Sequence, residues 1–199
     1  MGELPEETLV ERARSGDTVA FGHLADRWWH PLYRFGYRLA GNREDAEDIC
    51  QESLVRAFRS VHELEDHRKF SSWLHRIALR VYQDRRRRER ARPTTSLDDV
   101  SEDSDGGGLL DRLAVDGRGA LPGPARDLEI WETRRLLQEA LDELPDEQRE
   151  AIVMREFQGL TTAEIAAIVG VPTATVRTRI FYGLRKLHGR LSGPFGEVS

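Results

Sequence analysis

The sequence predicts an all-α protein, with two small helical domains joined by a flexible acidic linker. Three observations predict it. Apolar residues recur at helical spacing across residues 6–92 and again across 127–192. No stretch shows the period-two alternation of a half-buried strand. Between the two periodic stretches, residues 93–126 shift abruptly to glycine, proline and aspartate. The domains are therefore placed at 1–92 and 127–192, with a tail at 193–199, and 199 residues suffice for two such units.

The first domain opens with a helix over residues 8–15, broken at Gly16 and Asp17. Asp17 suits the N-cap of the next helix, in which Phe21, Leu24 and Trp28 share one face and Leu32, Phe35 and Leu39 follow after Pro31. Gly41 and Asn42 end that run. The next helix covers residues 43–60, with Ala46, Ile49, Cys50, Val55 and Phe58 on its apolar side. Another begins near Ser71, carries Trp73, Leu74, Ile77 and Val81 inward, and dissolves into the arginines at 85–88. In the linker Asp98, Asp99, Glu102, Asp103, Asp105, Asp111 and Asp116 are set against Arg112 alone before Arg118. Such a segment buries too little apolar surface to fold, though Leu109, Leu110 and Leu113 suit a short helical contact.

The second domain reads as helices over 128–144 and 145–157, followed by TTAEIAAIVGVPTATVRTRIFYGLRKLHGRL at 161–191, a helix-turn-helix. Thr161 or Thr162 caps its first helix, and Glu164 complements the positive end of the helix dipole. Ile165, Ala166, Ile168 and Val169 form the apolar face. Gly170 permits the sharp turn, and Pro172 with Thr173 restarts the chain. On the second helix Val176, Ile180, Leu184 and Leu187 face inward, leaving Arg177, Thr178, Phe181, Tyr182, Arg185 and Lys186 on the other faces. This helix has basic side chains and no acidic ones, inside a chain of net charge −5. Arginines in its N-terminal half suit a major groove, where guanidinium forks pair with guanine edges or phosphates.

The acidic balance excludes a uniformly basic nucleic-acid coat, so any nucleic-acid contact must be local. The single cysteine, Cys50, excludes an intrachain disulfide and a cysteine-rich zinc site. Its apolar helical setting predicts a buried thiol in a reducing cytoplasm. The N-terminal MGELPEETLVERARSGD lacks the apolar core of a signal peptide, and no apolar run nears the ~20 residues of a membrane span. A cytoplasmic location without membrane insertion is expected.

Three features of the first domain go beyond packing. Asp45, Asp48 and Glu52 fall near one another at helical spacings, with Gln51 beside them. Paired carboxylates suit acid–base chemistry or a metal. Yet no histidine stands at ligand spacing, and no phosphate-binding glycine loop or nucleophile-plus-base set accompanies them, so a polar interaction face is the better reading. Next, VHELEDHRKFSSWLHRIALRVYQDRRRR interleaves Phe70, Trp73 and Tyr82 with His67, Arg68, Lys69, His75, Arg76 and Arg80. Rings that stack on bases beside cations that pair with phosphates suit a nucleic-acid single strand, although the spacing of Trp73 places it in a core. The arginines at 85–88 extend that basic stretch.

The order of these blocks resembles a known family. DAEDICQES followed by LVRAF, then FSSWLHRIA and a run of arginines, is similar to region 2 of extracytoplasmic-function sigma factors, group 4 of the sigma-70 family. LDELPDEQREAIVMREFQGLTTAEIAAIVGVPTATVRTRI is similar to their region 4. The resemblance covers nearly the whole chain outside the linker and tail. It implies a non-catalytic initiation factor that binds core RNA polymerase and directs it to promoters, with no cofactor or metal. Asp48, Gln51 and Glu52, with Asp45 beside them, match the motif that docks on the clamp helices of the largest polymerase subunit, the polymerase flap being a further contact. The loop at 61–70 and the helix after it match the part that reads and melts the −10 element. There His67, Arg68, Lys69, Phe70, Arg76 and Arg80 are the contacts, and a base is turned out of the duplex. Thr175, Arg177, Thr178, Phe181 and Tyr182 match positions facing the −35 element, and Arg179 a phosphate contact. An anti-sigma protein that masks both domains is also implied.

Arg80 stands where the family commonly has asparagine, and Tyr182 where it often has arginine, which leaves the mechanism and alters the promoter sequence read. Promoter elements about 17 base pairs apart are separated by roughly 60 Å. A linker of about 34 residues has a relaxed span near ~30 Å and extends beyond ~100 Å, so it bridges them without strain. Off the polymerase the domains are expected to be mobile or folded back together. Two other classes fit parts of the pattern. A free-standing helix-turn-helix regulator would need no docking face joined to a melting surface. A nuclease built on Asp45, Asp48 and Glu52 would need a second carboxylate cluster beside the basic loop.

Overall fold

The computed structural model describes residues 4–91 and 124–195. Among them every regular element is helical. Helices α1 (Glu6–Arg14), α2 (Thr18–Ala40), α3 (Arg43–Ser60) and α4 (Phe70–Ala91) make the first domain, with 3-10 turns at Val61–Glu63 and His67–Lys69 between the last two. The second comprises α5 (Pro124–Asp142), α6 (Asp146–Ile152), a π-helical turn at Val153–Phe157, α7 (Thr162–Val169) and α8 (Thr173–Phe195). Residues 92–123, and with them the leucines at 109, 110 and 113, lie outside the described residues; α5 opens at Pro124, inside the stretch read as linker.

Side-chain caps set several of these boundaries. The Asp17 carboxylate accepts the Ala20 N–H at 3.0 Å and starts α2. The Asn42 amide oxygen accepts the Asp45 N–H at 2.9 Å and starts α3. Between them Gly41, at φ 80°, takes the left-handed conformation that lets α2 turn sharply into α3. Pro31 lies inside α2 without ending it, because Leu32, Phe35 and Leu39 beyond it are fully buried and hold the turn whose hydrogen bond proline cannot make.

The buried stripe of α3 is narrower than its sequence suggests. Ala46, Ile49, Cys50, Ser53 and Ala57 lie inward, which turns Val55 and Phe58 outward to 45% and 48% exposure. Phe58 keeps only an edge-on contact with Phe21, at 5.2 Å between ring centroids. Leu184 is likewise 40% exposed, since α8 is packed along Val176, Gly183 and Leu187. The helix expected to dissolve at 85–88 continues to Ala91, because Arg85, Arg86 and Arg90 find carboxylates on α3 and α6.

The two domains are folded back on each other. α2 packs against α5 and the π turn, and α4 packs against α7. Buried side chains from both sides, including Phe35, Leu39 and Leu74 from the first and Leu141, Ile152 and Met154 from the second, belong to one continuous apolar cluster.

Candidate nucleic-acid interface

The carboxylates of α3 form a cross-linked face. Arg85 of α4 reaches across to bond Asp45 with one nitrogen and Asp48 with the other, the second at 2.9 Å. Arg56 bonds Glu52 at 2.8 Å and Asp84 at 3.2 Å. Asp48, Gln51, Glu52, Arg56, Val81, Arg85 and Arg88 line a shallow groove of about 270 Å³. Burial works to raise the pKa of Asp45, but hydrogen bonds from Asn42 and Arg85 prevail and hold it below the usual carboxylate range. The three carboxylates thus face arginines, and among the described residues no three His, Cys, Asp or Glu side chains gather in a way that would hold a metal. Behind this face Cys50 donates to the Trp29 carbonyl at 3.4 Å, and burial pushes its thiol pKa up to about 12.

The loop before α4 is tied down from one side. His67 lies 3.5 Å from a Glu11 oxygen of α1. Arg68 forks onto Asp66 at 3.0 and 3.2 Å, and remains 73% exposed. Phe70 does not present its ring to solvent. It is buried against Trp28 and Trp73, at 6.0 and 5.7 Å between centroids, so its place is to anchor the start of α4. Lys69 and Arg80 are exposed, whereas Arg76 donates to the Ala167 carbonyl of α7 at 2.6 Å.

On α8 the residues read as groove-facing stand clear of the fold. Arg177, Thr178, Phe181 and Tyr182 are exposed, the two rings meeting edge-to-face at 5.4 Å. Thr175 is half-buried at the helix start. Arg179 lies closer in, 3.6 Å from Glu147 of α6.

A further set of polar residues, which no local pattern joins, lines the seam between the domains. His75, buried against Trp28 and Phe35, has Nδ1 2.8 Å from the Ser71 carbonyl and Nε2 3.1 Å from the Gln158 side-chain oxygen. Burial holds its pKa below the ordinary histidine value. Gln83 donates to Glu150 at 3.1 Å, and burial pushes the Glu150 carboxyl up to about 7. Arg149, almost fully buried, donates to the Leu39 carbonyl at 2.9 Å. The Arg38 guanidinium sits 4.1 Å above the Phe157 ring. These partners are separated in sequence by 67 to 119 positions or thereabouts, so no local periodicity points to them.

Two helical domains, with an acidic face on one helix and cationic faces on two others, have the form of a two-part DNA-binding factor. Comparison with known proteins gives the class. The family described as Sigma-70 region 2 matches residues 24–92, and Sigma-70, region 4 matches residues 134–187. The ECF RNA polymerase sigma factor SigW of Bacillus subtilis is 34% identical over 190 residues, 95% of this chain and 98% of that protein. CnrH, solved in complex with the cytosolic domain of CnrY, shares the fold at a TM-score of 0.64 and 24% identity, over 94% of this chain and 97% of that one. The sigma factor RpoE of Bartonella quintana, solved with the anti-sigma factor NepR, shares it at 0.61 and 23%, over 86% and 96%. The chain belongs to the ECF RNA polymerase sigma factors, whose function is transcription initiation at promoters. The region 2 match across α2–α4 favours this over a free-standing helix-turn-helix regulator.

Proposed function

We propose that Asp45, Asp48, Gln51 and Glu52 on α3 dock this sigma factor on the clamp helices of core RNA polymerase. His67, Arg68, Lys69, Arg76 and Arg80 read and open the −10 element, with Phe70 anchoring their loop. Thr175, Arg177, Thr178, Phe181 and Tyr182 read the −35 element in the major groove, and Arg179 meets a phosphate. The observation that carries this division is that the acidic face of α3 is packed directly against α4, so docking fixes the helix that meets melting DNA. The protein works in the cytoplasm as a dissociable specificity subunit with no chemistry of its own. That the similar folds of CnrH and RpoE were each solved with a bound partner, an anti-sigma factor for RpoE, supports a masking partner here too. Among the described residues no helix is long and apolar enough to cross a membrane.

Run-off transcription with purified bacterial core polymerase on genomic promoter fragments tests the reading. Specific start sites that require the protein are expected, and their alignment yields both promoter elements. In the same assay Asp48→Ala with Gln51→Ala is expected to abolish stimulation while helicity and melting temperature stay close to those of the parent. Full stimulation by that double variant would refute the docking assignment.

A further inference from the structure

The middle turn of α8 exposes apolar groups on a helix whose charged side chains are all basic. Phe181 and Tyr182 are 62% and 50% exposed, and neither belongs to the apolar core. Their edge-to-face contact holds the rings in place before any partner arrives, so little ordering is left to do on binding. One turn earlier the Thr178 hydroxyl donates to the Ala174 carbonyl of its own helix at 3.0 Å. Its donor is thereby spent, and Thr178 is left with a methyl group and an acceptor to offer outward. Contiguous exposed apolar side chains mark a contact surface.

The cations around this patch say what meets it. Arg177 lies one turn before Phe181, with Arg185 one turn after it and Lys186 one turn after Tyr182, all exposed. Rings framed by cations fit duplex DNA, whose phosphates take the charges while the base edges face the rings. In the major groove the one apolar group a base edge presents is the thymine C5-methyl. Guanine presents two acceptors, which call for donors, and the only donor in the patch is the Tyr182 phenol. A helical turn advances ~5.4 Å and a base pair ~3.4 Å, so side chains one turn apart reach pairs one or two steps apart. We propose that Phe181 and Tyr182, with the Thr178 methyl, read thymine methyl groups, so that the −35 element carries A·T one or two steps from the pair read by Arg177. This rests on the proposed placement of α8 in the major groove and names what that site selects.

The test uses holoenzyme reconstituted from the full chain and purified bacterial core polymerase. It selects from random duplex DNA copied with either thymine or uracil, which pairs as thymine does but lacks the methyl group. Parallel selection with Arg177→Ala marks the pair that Arg177 reads, by loss of preference there. In the thymine pool an A·T preference is expected one or two steps from that pair, and in the uracil pool it fades. On a selected duplex, changing that single thymine to uracil is expected to weaken parent holoenzyme about three- to tenfold in competition binding. Phe181→Ala with Tyr182→Ala, whose other promoter contacts remain, should bring the two duplexes to equal affinity. Tyr182→Phe keeps the ring and should keep the difference, whereas Tyr182→Arg should turn the preference towards G·C. Equal affinity of the parent for the thymine and uracil duplexes would overturn the inference and leave the exposed rings to a protein partner. A methyl dependence that survives the double alanine variant would also overturn it, and would assign the preference to DNA shape. Either result leaves the promoter role standing. Selection that enriches no −35 motif with any form instead defeats the placement of α8 in the groove, and the inference with it.

Discussion

Gly183 sets how near α8 approaches α6. A Cβ there would overlap Ile152 Cδ1 and stand 3.4 Å from the Gln148 Cβ, and Ile152 is only 1% exposed, with little room to yield. Gly183→Ala gains about 1 kcal/mol in helix propensity but costs ~1–3 kcal/mol in overpacking, for a net loss of about 1 kcal/mol in urea unfolding. Ile152→Val removes the obstructing methyl, so in that background the alanine is expected to be neutral or stabilising. An equal cost in both backgrounds would defeat the steric account. Arg177 and Arg179 make a second pair of contrasting single residues. The first stands free of the fold and the second lies beside Glu147. Arg177→Ala is expected to cost ~1–3 kcal/mol and relax specificity at one or two base pairs, while Arg179→Ala weakens binding across sequences and flattens its salt dependence. Identical behaviour in competition binding would remove the distinction. The exposure of Arg177, Thr178, Phe181 and Tyr182 was legible in the sequence from helical spacing, although the same spacing puts Leu184 inward and it is 40% exposed. Phe70 was not, since an aromatic ring beside cations has the same pattern whether it stacks on a base or anchors a helix.

At the scale of the element, the first helix of the helix-turn-helix rests on its cap. Thr161 Oγ1 accepts the Glu164 N–H at 3.2 Å, and the Glu164 carboxylate accepts the Thr161 N–H at 2.8 Å. Two of the donors left open at the start of α7 are thereby satisfied. Thr161→Ala breaks the reciprocal pair and is expected to cost ~1 kcal/mol, a fall of about 2–4 °C in melting temperature by circular dichroism. No change would mean that packing of Ile165 and Ile168 alone holds α7. Ends of this kind are readable at Asp17 and Thr161, whose side chains act on residues three positions away, whereas Asn42, a cap of the same kind, reads in the sequence only as the end of the preceding run. The end of α4 is not readable, because Arg85, Arg86 and Arg90 owe their order to Asp45, Asp48 and Asp146, which are distant in sequence. The π turn at Val153–Phe157 was equally hidden: its period departs from 3.6 for only one turn, yet it leads into Gln158 and sets Phe157 under Arg38.

For the whole molecule, the seam makes stability depend on pH. Burial raises the Glu150 carboxyl from 4.5 to about 7, with Asp146 and Glu147 adding to the shift and Gln83 and Arg179 opposing it. The folded chain therefore keeps this proton over a range in which the unfolded chain has lost it. The stabilisation is complete below about pH 4.5 and is lost as pH rises to about 7, by an amount on the order of 3 kcal/mol. His75 acts in the opposite sense: its pKa is depressed by burial, so it withdraws stability as pH falls below its ordinary value of 6.5. The two slopes overlap, and the parent curve alone does not separate them. Glu150→Gln does, because the amide keeps the shape and an acceptor for Gln83 but does not titrate. The stability difference between parent and Glu150→Gln, taken from urea midpoints across this window, is expected to shift against the parent as pH rises, by about 3 kcal/mol in all. A difference that stays constant with pH would mean that Glu150 titrates as an exposed carboxyl does, and that the seam stands open in solution.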